Sequence, residues 1–130
     1  MVRETSRDVT INGLRFRIGL VSALAGDWII NQFLLRKYAD EVTYKRVQQH
    51  LLGVVSLYTG DDPNLPPLKI YDGDRCLVAA KFPEVATDPD LIHQLMDAAL
   101  DLNFASFFAR MKKESDEAEA DRQAAAGTTQ

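Results

Sequence analysis

Apolar and charged positions alternate through Leu14, Arg15, Phe16, Arg17 and Ile18, and a shorter β-capable run, Thr10-Ile11, precedes them across Asn12-Gly13. Asn and Gly both tolerate positive φ, the requirement of a two-residue type I′ turn, so the pattern predicts a β-hairpin over residues 9–18. Gly19 interrupts the alternation, and Ser22 stands before Ala23-Leu24-Ala25 as an N-cap whose hydroxyl can accept an early helix N–H. The first helix is expected to run to about Tyr38. It is apolar nearly all round: Leu24, Trp28, Leu35 and Tyr38 mark one face while Ile29, Ile30 and Phe33 lie on others. A central helix covered on several sides has this pattern, and so does a helix whose second face meets another subunit.

Over residues 41–58 the spacing is that of an ordinary amphipathic helix, with Tyr44, Val47, Leu51, Val54, Val55 and Tyr58 opposed by Lys45, Arg46, Gln49 and Ser56. Three prolines, a glycine and polar residues make 60–67 a loop. Leu68-Lys69-Ile70-Tyr71 and Cys76-Leu77-Val78-Ala79 flank Asp72-Gly73-Asp74-Arg75, which predicts a second hairpin within 68–82. Thr87 or Asp88 can cap the next helix, with Pro89 in its first turn, and Leu91, Ile92, Leu95, Met96, Ala99 and Leu102 give its core face.

Near Asn103 the stripe rotates: Leu100, Phe104, Phe107 and Met111 recur on a different face, with Phe108 beside them. One helix cannot easily direct both sets into one small core, so the aromatics read as anchors for a partner unless a break at Asn103 turns them back inward. Residues 112–130 carry only alanines, charges and small polar groups and cannot build a core. The expected organisation is an α+β, helix-dominated small domain over residues 1–111, followed by a polar tail, disordered or transiently helical, over 112–130. The candidate partner-binding residues are Phe104, Phe107, Phe108, Met111, Trp28 and Phe33.

Composition narrows the functional classes. With 15 Lys+Arg against 19 Asp+Glu the net charge is −4, which opposes a phosphate-steered nucleic-acid binder, although Arg15, Arg17 and Arg36-Lys37 lie near aromatic residues. The lone Cys76 excludes an intramolecular disulfide. The charged opening residues lack a signal core, and the longest apolar runs, such as Trp28-Ile29-Ile30, fall far short of a bilayer span, so neither export nor a membrane partner is expected. Phosphate-loop, dinucleotide, HExxH and CxxC motifs are absent. His50 and His93 lack companions at ligand spacing. Asp72 with Asp74, and Asp61 with Asp62, have sufficient explanations as turn residues. Cys76, in a strand pattern, reads as a small packed thiol. No catalytic residue, metal site or cofactor is expected, and an enzyme is the weakest of the classes considered.

The order of these parts resembles the small tail assembly chaperones of long-tailed bacteriophages. The resemblance spans about Thr10 to Met111. It rests on the opening segment from Val9 to Ile18 with Asn12-Gly13 at its turn, the two following helices, the hairpin-like middle, and the ending Leu102-Asn103-Phe104-Ala105-Ser106-Phe107-Phe108. It implies a non-enzymatic protein of the host cytoplasm that binds the tape measure protein before the tail tube forms and is absent from the mature virion. The tail tube protein and further copies of the chain are additional partners on this reading; nucleic acid and membrane are not. A structural tail-completion or connector protein of the virion is the alternative, compatible with the same size and composition.

Overall fold

A computed structural model describes residues 4–35, 40–60, 62 and 64–127. Tyr38, the expected end of the first helix, lies outside them, as do Arg36, Lys37 and Asp61. Strands β1 (Ser6–Ile11) and β2 (Leu14–Gly19) pair antiparallel, with Ile11 opposite Leu14 and Ser6 opposite Gly19. Asn12 at φ 53° and Gly13 at φ 78° supply the two left-handed residues of the turn. Alternation divides the hairpin: Phe16 and Ile18 are fully buried, whereas Arg15 and Arg17 face outward. Burying such a side chain contributes about 1.5–3 kcal/mol, enough to fix the register, since a one-residue slip would expose both.

Helix α1 (Ala23–Leu34) starts where its cap dictates, with the Ala25 amide donating to Ser22 Oγ at 3.2 Å. Helix α2 (Glu41–Leu52) is capped by Asp40, whose carboxylate accepts from the Thr43 amide and hydroxyl at 3.1 and 3.0 Å. The helix expected over 41–58 ends at Gly53, and Val55–Leu57 form strand β3 instead. Tertiary pairing overrides the helical stripe here. Val55 and Leu57 lie opposite Ile18 and Phe16 of β2, and the Gly19 amide donates to the Val54 carbonyl at 2.8 Å. The β-branched pair Val54-Val55 suits that role.

The second hairpin is also redrawn. Leu68–Lys69 form strand β4, paired with β3 and completing an antiparallel sheet of order β1-β2-β3-β4. Only β5 (Tyr71–Asp72) and β6 (Arg75–Cys76) make the hairpin, around Gly73 at φ 61°. Buried Ile70 joins the two units: its amide donates to the Val55 carbonyl and its carbonyl accepts from the Leu77 amide at 2.7 Å. A short helix that the pattern did not predict, α3 (Pro83–Thr87), follows, with Thr87 Oγ1 donating to the Pro83 carbonyl. Asp88 therefore acts as the cap of α4 (Pro89–Gly127), its Oδ1 accepting from the amides of Asp90 and Leu91.

Helix α4 packs against β1, β2 and α2, burying Leu91, Leu95, Met96, Ala99 and Leu102 in a common core with the sheet and α2. It passes through Asn103 without a break. The Asn103 side chain is buried: Oδ1 accepts from the Val21 amide at 2.9 Å, and Nδ2 donates to the carbonyls of Gly19 at 3.2 Å and Ala99 at 2.9 Å. This carboxamide holds the β2–α1 connection against α4. Beyond Phe108, residues 109–124 are all exposed along a helical arm that continues to Gly127. Among the described residues, no helix is long and apolar enough to cross a membrane.

Replacing Asn103 by Leu keeps the volume roughly constant but leaves the Val21 amide and the Gly19 carbonyl without their partner. The expected cost is about 2–4 kcal/mol of unfolding free energy, measured by urea denaturation; an unchanged midpoint would show that the clamp is dispensable. Deleting residues 113–130 is expected to preserve a single cooperative transition, because none of the described arm side chains is buried.

Candidate partner-binding groove

The aromatic stripe of α4 meets the end of α1. Phe108 packs edge to face on Phe33, with ring centroids 5.7 Å apart at 85°, and also touches Phe104 and Phe107 at centroid distances of 6.2 and 5.6 Å. These four rings form one cluster, but they are not equivalent. Phe104 is only 4% exposed and belongs to the core, contrary to its assignment as a partner anchor. The reason lies on α1: Gly26 has no side chain, and the Phe104 ring approaches to 3.4 Å from where its Cβ would stand. Helix α1 thus covers a second face of α4, and the buried arc of that helix widens at Asn103 and Phe104 instead of rotating out to solvent.

Phe107 is half-buried, with the Arg110 guanidinium 5.7 Å from its ring, while Phe108 and Met111 each remain 37% exposed. Trp28 does not join the cluster. It is half-buried between α1 and α2, its ring tilted against His50 at 5.6 Å and covered by the Arg46 guanidinium at 4.9 Å. Of the six candidate residues, Phe33, Phe107, Phe108 and Met111 retain accessible surface on the α1–α4 side; Phe104 serves internal packing, and half-buried Trp28 lies apart from them beside α2.

Next to this cluster a groove of about 250 Å³ opens between α1, α2 and α4. Phe33, Tyr44, Val47, Met96 and Leu100 supply its apolar walls, and His93 and Asp97 its polar edge. Tyr44 Oη lies 3.2 Å from His93 Nε2 and 3.9 Å from Met96 Sδ, and Gln48 Nε2 approaches the same sulfur at 3.6 Å, so polar contacts fix the thioether in the groove wall. The sequence showed Tyr44, Val47 and Met96 as core-facing positions. It did not show that these positions, with Phe33 of α1, leave a groove between them, because that depends on how the three helices pack.

Two further hollows are more polar. A cleft of about 430 Å³ lies between α2, the β5–β6 turn and the start of α4, and includes Lys45, Gln48, Asp74, Thr87, Asp88 and His93. Much of its polar lining already has structural duties: Asp88 caps α4, Thr87 bonds within α3, and Gln48 contacts Met96. A hollow of about 210 Å³ on the outer face of the sheet brings Asp8, Arg15, Arg17, Tyr58 and Asp62 together. Arg15 and the Tyr58 hydroxyl both donate to Asp8, and these bonds, the guanidinium's foremost, hold its carboxyl below the usual carboxylate range. Arg15 also stacks 4.3 Å above the Tyr58 ring. Among the described residues, no three His, Cys, Asp or Glu side chains are grouped to hold a metal ion. Cys76 is half-buried in β6 opposite Tyr71. The Tyr71 phenol is pushed up by burial first and by the thiol second, and it donates to the Val85 carbonyl at 2.8 Å.

No family model, curated protein or solved structure matches the chain.

The unequal burial of the cluster separates two variants. Phe104→Ala is expected to cost about 3–5 kcal/mol of stability, as for other buried rings. Phe108→Ala, which loses edge contacts but little enclosure, should cost about 1 kcal/mol. Equal losses in paired denaturation curves would contradict the division between core and surface.

Proposed function

We propose that this chain is a non-enzymatic assembly chaperone of a long-tailed bacteriophage that binds the tape measure protein and keeps it dispersed until the tail tube is built around it. The observation that carries the reading is the groove walled by Phe33, Tyr44, Val47, Met96 and Leu100, running on to the exposed edges of Phe108 and Met111. A groove of this composition fits an amphipathic helix that inserts side chains at i, i+3 or i+4, and i+7. An extended helical client presents such stripes repeatedly, so many copies of one small domain can cover it. The resemblance of the Asn12-Gly13 hairpin and the 102–108 segment to tail assembly chaperones favours this client over others. On this reading the protein works in the host cytoplasm, requires no cofactor or metal, meets the tail tube protein as assembly proceeds, and departs before the virion is complete.

Co-expression with the tape measure protein encoded by the same genome tests the proposal. The client is expected to move into the soluble fraction and to co-purify with the chain. Leu100→Glu, which places a carboxylate in the groove wall, should abolish that rescue, with thermal melts confirming that the variant folds. A client that stays insoluble beside the wild-type chain overturns the assignment.

A further inference from the structure

The polar edge of the groove is made by His93 and Asp97, and the two stand differently. His93 Nε2 already lies 3.2 Å from Tyr44 Oη. Asp97 is exposed and, among the described residues, has no hydrogen bond or ion pair. Lysine and arginine are absent one helical turn to either side of it, where His93, Gln94, Leu100 and Asp101 stand. Asp90, Asp97 and Asp101 recur at seven and four residues and so share one side of α4. The outer two are engaged: Asp90 Oδ2 accepts from Gln94 Nε2 at 2.8 Å, and Asp101 Oδ2 accepts from the Arg7 guanidinium at 2.6 Å. Asp97, the one that borders the groove, keeps its charge uncompensated.

Water hydrates an exposed carboxylate well, but a helix lying in the groove displaces part of that water, because Asp97 shares the groove lining with Met96 and Leu100. An apolar border on the incoming helix would leave a partly dehydrated carboxylate without a partner, and an acidic border would set a like charge against it. A lysine or arginine replaces the lost hydrogen bonds, and its aliphatic stem can lie along the apolar wall while the head group reaches the carboxylate. We propose that the groove selects amphipathic helices with lysine or arginine along the border of their apolar stripe, and that Asp97 is the residue that reads this charge. The inference rests on the groove being the client site and adds which helices enter it. The same carboxylate turns away helices with glutamate or aspartate at that border.

Two synthetic helices of identical composition test it, each about 18 residues, or roughly five turns, long and carrying leucines at i, i+4 and i+7. One has lysines beside the leucine stripe and glutamates on the opposite face; the other exchanges them, so the net charge is the same. Binding to the full-length chain is read by fluorescence anisotropy at low salt. The lysine-bordered helix is expected to bind about threefold to fivefold more tightly, a preference that added salt diminishes. Asp97→Asn should remove the preference and Asp97→Lys should reverse it, with thermal melts like the wild type. Asp90→Asn, on the same side of α4 but off the groove, should leave the preference unchanged, and Leu100→Glu should weaken both peptides. Equal binding of the two peptides to the wild type, or a preference that survives Asp97→Lys, overturns the charge assignment and leaves the groove reading standing. Failure of both peptides to bind, or binding indifferent to Leu100→Glu, overturns the groove reading and this inference with it.

Discussion

Two hydrogen bonds of the Asn103 carboxamide tie the middle of α4 to the chain where β2 hands over to α1, and a third, to the Ala99 carbonyl, stays within the helix. That handover decides the geometry of the whole molecule. Gly19 closes the hairpin on one side, pairs with the Val54 carbonyl that leads into β3, and offers its own carbonyl to Asn103. Val21 then opens the approach to α1. Hairpin, third strand, first helix and long helix meet within a few residues, and a buried amide can satisfy backbone groups there that no apolar side chain could. The placement of α1 over Phe104, and hence the line of the groove, follows from that junction.

What the sequence made legible was local chemistry. The turn at Asn12-Gly13, the caps Ser22 and Asp88, and the alternation of Phe16 and Ile18 with Arg15 and Arg17 depend on neighbours one to four residues away, and the structure places them accordingly. What it hid was decided at long range. Val54 and Val55 continue a helical stripe convincingly until the free edge of β2 becomes available to them. Leu68 and Lys69 match a hairpin partner in sequence yet pair with β3 in space. Asn103 sits where a polar residue in an apolar stripe suggests a break, but its partners Val21 and Gly19 are more than eighty residues away. The same blindness made Phe104 look like Phe108: one lies over Gly26 and the other at the rim, a distinction invisible before α1 is placed.

The molecule is consequently two-sided. On the outer face of the sheet, Asp8, Arg15, Arg17 and Tyr58 engage one another. On the helical side, the groove and the exposed edges of Phe108 and Met111 keep apolar area available.

The close approach of Phe104 to Gly26 carries a consequence for how this fold can drift over time. A methyl group at position 26 would already meet the ring at ordinary contact distance, and anything bulkier would lever α1 away from α4. A lineage can enlarge residue 26 only by shrinking residue 104, or by accepting a displaced α1 and with it a displaced Phe33 in the groove wall. The pair thus acts as a gauge: across descendants of this sequence, joint changes at 26 and 104 would record shifts in the spacing of α1 and α4, while the rest of the core stayed as it is.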